Sequence, residues 1–125
     1  MDGAGTILVV DDEAPLRELV RVALGDGYRF DEAADIEGAW EKAHARRPDL
    51  IVLDIMLPGG SGLDLLKRFR KDELLAEVPV VVLSAWQTGE DEQAARLAGA
   101  DAFMPKPFAV DELARIVDEL LEGAV

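Results

Sequence analysis

The chain has 125 residues, half of them apolar, with 26 acidic side chains against 13 basic ones and a net charge of −13. That length suits one domain, spanning 1–125, with a substantial core; no apolar stretch approaches the roughly 20 residues of a membrane helix, and Met1-Asp2-Gly3-Ala4-Gly5 lacks the basic and apolar regions of a secretory signal. With neither of these segments the cytoplasm is the expected setting. Without cysteine there is no disulfide and no thiolate metal site, and so negative a surface repels nucleic acid and anionic membranes, which makes direct nucleic-acid binding by this chain unexpected.

Short apolar runs rich in β-branched residues alternate with stretches whose apolar residues recur three and four apart, the patterns of buried strands and of helices packed on a sheet. Ile7-Leu8-Val9-Val10 is the first strand and ends in Asp11-Asp12. A helix follows with Leu16, Leu19, Val20, Ala23 and Leu24 on one stripe; Pro15 fits its first turn and Gly25 and Gly27 are available to end it. Tyr28 to Ala33 predicts a more polar edge strand, and Asp35 caps a second helix that buries Ile36, Ala39, Trp40 and Ala43 before Pro48. The third strand, Leu50-Ile51-Val52-Leu53, runs into Asp54. The loop Leu57-Pro58-Gly59-Gly60-Ser61-Gly62 has glycines that permit positive φ and close backbone approach, and it leads to a helix carrying Leu63, Leu66 and Phe69. Val80-Val81-Val82-Leu83 delivers Ser84-Ala85, and the helix after it, about Asp91 to Ala98, has only Ala94, Ala95, Leu97 and Ala98 to pack with. Ala102-Phe103-Met104-Pro105 delivers Lys106-Pro107, and Val110, Leu113, Ile116, Val117 and Leu120 form the stripe of the last helix.

Strands and helices in strict alternation predict an α/β fold: a doubly wound five-stranded parallel sheet, order 2-1-3-4-5 and flavodoxin-like, with helices on both faces. Ligands of such sheets sit beyond the carboxyl ends of the strands where the order reverses, here between the first and third. Those two strands end in Asp11-Asp12 and Asp54, and Ser84 and Lys106 come to the same edge. Carboxylates gathered there repel one another unless a cation joins them or one takes a proton. Oxygen ligands without His or Cys favour a hard ion, and few protein carboxylates together with a phosphate is the habit of Mg²⁺.

Each residue also has a plainer reading. Asp12 alone can be the cap of the helix after it, Lys106 a solvated loop lysine, and Ser84 alone means nothing. Asp54 has no helix directly behind it to cap. His44, the only histidine, reads as a surface residue and Trp40 as core.

Taken together, Asp11-Asp12, Asp54, Ser84-Ala85 and Lys106-Pro107, in this order and over the whole chain, resemble the receiver domain of two-component response regulators; Asp54-Ile55-Met56-Leu57-Pro58-Gly59 and Gly99-Ala100-Asp101-Ala102-Phe103-Met104-Pro105-Lys106-Pro107-Phe108 resemble further signatures of that family. The resemblance implies a phosphoacceptor, Asp54, charged by a sensor histidine kinase or a histidine phosphotransfer protein. It implies Mg²⁺, with Mn²⁺ as a substitute, on Asp12, Asp54 and the Met56 backbone carbonyl, with Asp11 acting largely through water. Lys106 would hold the phosphoryl oxygens, Ser84 and Phe103 would switch, and Lys106-Pro107 would be cis. The output face would be the fourth helix, fifth strand and last helix, acting on a downstream protein target or an output domain. A non-phosphorylated receiver-like binding module is the alternative, and the sequence leaves open a stand-alone receiver or part of a larger regulator. Met56 and Trp86 are expected at the mouth of the pocket, where neither can position a hydrolytic water, so a long-lived acyl phosphate is expected; Mg²⁺ is expected to quench Trp86 emission.

Two other families fit less well. A flavodoxin-type cofactor carrier needs a glycine- and hydroxyl-rich phosphate loop where Asp11-Asp12-Glu13-Ala14 stands. A haloacid-dehalogenase-like phosphohydrolase has its nucleophile after the first strand with a second Asp two residues on, and Glu13 and Ala14 stand there instead.

Overall fold

The computed structural model describes residues 5–85 and 89–123. In chain order the elements are β1 (Thr6–Val10), α1 (Ala14–Leu24), β2 (Arg29–Ala33), α2 (Ile36–Ala45), β3 (Leu50–Asp54), β4 (Met56–Leu57), β5 (Gly60–Ser61), α3 (Gly62–Arg70), β6 (Val80–Ser84), α4 (Gly89–Ala98), β7 (Ala102–Pro105) and α5 (Val110–Gly123). The main sheet is parallel, in the order β2-β1-β3-β6-β7. Counting only its own strands this is 2-1-3-4-5, the expected fold.

Every residue of β3 and β6 is buried, because helices cover both faces and an uninterrupted apolar run then replaces alternation. Side chains of alternate parity feed two cores. Leu8, Val10, Ile51, Leu53, Val80 and Val82 meet α2, α3 and α4 through Ala39, Leu66, Phe69 and Ala95; Ile7, Val9, Leu50, Val52, Val81 and Leu83 meet α1 and α5 through Val20, Leu113 and Val117. The register aligns the carboxyl ends: Val10 pairs with Leu53, Asp54 with Leu83 and Ser84 with Pro105.

Local signals behave as their chemistry requires. Pro15 lies in the first turn of α1 and Gly25, at φ 83°, ends it. Asp35 accepts from the Gly38 N–H at 2.7 Å and so caps α2.

Three details differ from the sequence expectations. The glycine loop is an antiparallel hairpin, β4 with β5, whose turn uses Gly59 at φ 91°. Tyr28 precedes β2, and its hydroxyl donates to Asp118 Oδ1 at 3.1 Å, tying the edge strand to α5. Leu19 is 38% exposed and Leu97 81% exposed, so α4 buries Ala95 and Ala98 but not its leucine. Each buried alanine methyl contributes only about 0.8 kcal/mol against about 1.5–3 kcal/mol for a buried leucine, which leaves α4 weakly anchored. Among the described residues, no helix is long and apolar enough to cross a membrane.

Candidate functional site

Asp11 directly follows β1; its carboxylate is buried and its backbone N–H donates to the Ala33 carbonyl of β2 at 3.0 Å. Asp11 Oδ1 accepts from the Glu13 N–H at 2.8 Å, a local bond that turns the chain into α1. Glu13 is the N-cap of α1 and no side chain caps it, so Asp12, which is exposed, is not spent on capping. Asp54 is the last residue of β3, 5% exposed, and its Oδ1 accepts from the Met56 N–H at 3.2 Å.

Gly62 makes the position of Asp54 possible. Its N–H donates to the Ile55 carbonyl at 2.6 Å, and a Cβ there would overlap the Asp54 carbonyl and press on Ile55. α3 can therefore start directly beneath the strand end.

The far edge contributes Ser84, buried at the end of β6, and Lys106, just beyond β7. The Lys106 N–H donates to the Ser84 carbonyl at 2.8 Å, and the Lys106–Pro107 peptide is cis. Lys106 Nζ lies 3.0 Å from Asp54 Oδ2, 2.8 Å from Asp11 Oδ2 and 3.9 Å from Glu13 Oε1. Phe103, on β7, is partly buried against the core of α2, α3 and α4. Met56 is 55% exposed and lines an open groove of about 540 Å³ with Asp12, Ile55, Leu57, Pro58, Gly60 and Ser61. Trp86 lies outside the described residues.

The electrostatics follow from crowding in a dry place. Burial raises the pKa of Asp54, and the bonds from Lys106 and Met56 offset this only in part. Burial pulls Lys106 down, but the Asp11 and Asp54 carboxylates beside it outweigh that and leave the ammonium above its ordinary value. One lysine thus serves two buried carboxylates beside a third.

Asp11, Asp12 and Asp54 each bring one carboxylate oxygen to within 4.8 Å of the others. Asp11 Oδ2 is buried with no hydrogen-bond partner, its contact with Lys106 being an ion pair out of hydrogen-bond alignment. A buried carboxylate oxygen that meets one ammonium out of hydrogen-bond alignment, in an all-oxygen cluster, fits a hard cation.

Arg17 and Glu32 also reach this loop, and the sequence carried no signal for them. A charged residue on an amphipathic helix or on an edge strand reads as solvated, yet Arg17 Nη1 donates to the Asp11 carbonyl at 2.6 Å.

Comparison with known proteins places the chain in a family. Residues 7–118 match the response regulator receiver domain. The phosphate regulon transcriptional regulatory protein PhoB of Pseudomonas aeruginosa is 44% identical over 109 residues, 86% of this chain and 48% of that protein. The chain spans about half the length of the curated relatives it matches. The NtrX receiver domain of Brucella abortus superposes with a TM-score of 0.85 at 39% identity, covering 93% of this chain and 98% of its own. The receiver domain of the Francisella response regulator 1452 gives 0.89 at 30% identity, covering 97% and 99%.

Proposed function

Because the chain belongs to the receiver domain family of response regulators, we propose that it takes a phosphoryl group from a phosphohistidine of a sensor kinase or phosphotransfer protein onto Asp54. One observation carries the assignment: strand ends far apart in sequence bring Asp11, Asp12 and Asp54 together around one lysine, with Asp54 held by Lys106 and Met56.

A carboxylate oxygen of Asp54 attacks phosphorus. A P–O bond forms as the P–N bond to the donor imidazole breaks, and the imidazole nitrogen keeps the electron pair and takes a proton from solvent. Lys106 moves its charge from the carboxylates to the phosphoryl oxygens, and the Ser84 hydroxyl donates to one of them. Asp11, Asp12, Asp54 and the Met56 carbonyl would hold Mg²⁺, or Mn²⁺ in its place, which supplies positive charge to phosphoryl oxygens that the acids would otherwise repel. Hydrolysis reverses the charge state: water attacks phosphorus, inorganic phosphate leaves and the carboxylate is restored. The chain acts once per phosphoryl group on itself, and is not an enzyme toward another substrate.

Signalling follows from differential contact. Lys106 already touches Asp54; the Ser84 hydroxyl would move toward the phosphoryl group, with Phe103 turning inward behind it, so phosphorylation favours one of two arrangements. α4, held by Ala95 and Ala98, is the element with least to lose in moving. The α4-β7-α5 face, with Leu97 exposed, would then present a changed surface to a downstream target or output domain in the cytoplasm.

The test is intact mass after incubation with a small phosphodonor and Mg²⁺. The protein is expected to gain one phosphoryl group and Asp54→Asn none. A wild type that stays unmodified, with or without Mg²⁺, overturns the reading and leaves a binding module.

A further inference from the structure

We infer that Arg17, held in place by Glu32, is a positioning residue that aims the Asp11-Asp12 peptide and thereby sets the affinity of the acid cluster for a divalent cation. The inference rests on the metal-dependent reading above.

Asp11 is gripped on both sides of its Cα, by the N–H of the Val10–Asp11 peptide and by the carbonyl of the Asp11-Asp12 peptide. The Asp11 N–H donates to Ala33 of β2 at 3.0 Å. The Asp11 carbonyl accepts from Arg17 Nη1 at 2.6 Å, while Arg17 Nε donates to Glu32 Oε1 at 2.8 Å. Glu32 precedes Ala33 on the same edge strand, so β2 supplies both holds, one directly and one through the guanidinium. Arg17 is largely buried, its side chain 18% exposed.

The consequence falls on Asp12. Its carboxylate makes no hydrogen bond or ion pair among the described residues, so only the backbone aims it. Rotation of the peptide whose carbonyl Arg17 holds would swing Asp12 away from Asp11 and Asp54. A guanidinium suits this task because its fork serves two acceptors at once, whereas a lysine ammonium is a single point.

An ion pair that merely stabilised the fold would act differently from a donor to one carbonyl, and a charge swap separates the two. Binding of Mg²⁺ alone is measured by calorimetry, with unfolding midpoints and the amide shifts of Asp12 and Glu13 in metal-free protein. Arg17→Met is expected to weaken Mg²⁺ binding about tenfold, the low end for groups that orient a metal ligand, and to shift both amides. The swap Arg17→Glu with Glu32→Arg is expected to recover the unfolding midpoint but not the affinity, since an acid then faces the Asp11 carbonyl. If Arg17→Met does not fold, Glu32→Leu leaves Arg17 present but unheld and is expected to weaken binding in the same direction. Unchanged affinity in the folded single variants, or affinity restored by the swap, overturns the inference while the metal reading stands. A wild type that does not bind Mg²⁺ overturns both.

Discussion

Lys106 Nζ and Asp54 Oδ2 lie 3.0 Å apart although 52 positions separate the two residues in the chain. The contact joins the ends of β3 and β7 across β6, and the same ammonium lies 2.8 Å from Asp11 Oδ2 at the end of β1. Without an ion, Lys106 is the positive charge that lets the three strand ends meet.

Replacing Lys106 with Met should therefore cost metal-free protein about 1.5–3 kcal/mol, the range for losing hydrogen bonds to charged groups. Mg²⁺ should return much of the loss, since a cation among the same oxygens relieves the same repulsion. Urea unfolding with and without Mg²⁺ checks this, and an equal deficit in both conditions would contradict it.

Gly62 is expected to tolerate no side chain. Gly62→Ala puts a Cβ into the Asp54 carbonyl and against Ile55, both backbone and unable to yield alone. Overpacking of this kind costs about 1–3 kcal/mol, and the displaced Asp54 should accept phosphate more slowly. A stability and phosphorylation rate equal to wild type would show that α3 can shift without moving the strand end.

His44 gives a pH dependence. Nδ1 lies 2.8 Å from the Trp40 carbonyl and Nε2 2.8 Å from Asp72 Oδ2, so both nitrogens face acceptors and the doubly protonated ring is favoured. The Trp40 carbonyl first and Asp72 next raise the His44 pKa above 6.5, against desolvation and the nearby Arg68. Asp72 is lowered from 3.8, chiefly by its bond with His44. Stability from His44 is fully present below 6.5 and is lost as pH rises through the raised value; that from Asp72 is present above 3.8 and is lost as pH falls through the lowered one. The advantage over His44→Gln should thus be largest between those two values and shrink on the alkaline side, read from urea midpoints across pH. A pH-independent difference would refute it.

Arg70 fixes the carboxyl end of α4. Its Nε and Nη2 donate to the Gly99 carbonyl at 3.0 and 2.7 Å, Nη1 to the Val78 carbonyl at 2.8 Å, and Nη2 to Asp101 Oδ2 at 3.1 Å. Arg70→Lys cannot span these acceptors, and a loss of about 1–3 kcal/mol is expected. Hydrogen exchange should show it first in α4, the helix with the thinnest packing. Protection lost evenly across all helices would argue instead for a global effect.

How much of this was legible follows from which forces act locally. Strand ends, caps and glycines are written in short runs, so Asp11, Asp54, Ser84 and Lys106 could be placed on one sheet edge before any coordinates. The exposure of Leu97 could not, because helical periodicity marks a stripe without saying whether a neighbour covers it. Nor could Arg17, Glu32 and Arg70, whose partners are backbone carbonyls or acids on other elements, and a carbonyl leaves no mark in sequence. The β4-β5 hairpin was hidden because two-residue strands carry no periodicity.

Met56 bears on how long the signal lasts. It stands two residues past Asp54, is 55% exposed and lines the groove beside Asp12, yet its thioether is a poor acceptor for orienting an attacking water. Met56→Asn places an amide where it can hydrogen-bond that water, and loss of phosphate from Asp54 is expected to quicken about tenfold, equivalent to about 1.4 kcal/mol of barrier. The rate is read by following phosphorylated protein after the donor is removed, with Met56→Leu as the control for shape. Leu should decay like wild type; equal rates for Asn and wild type would place control of hydrolysis elsewhere in the pocket.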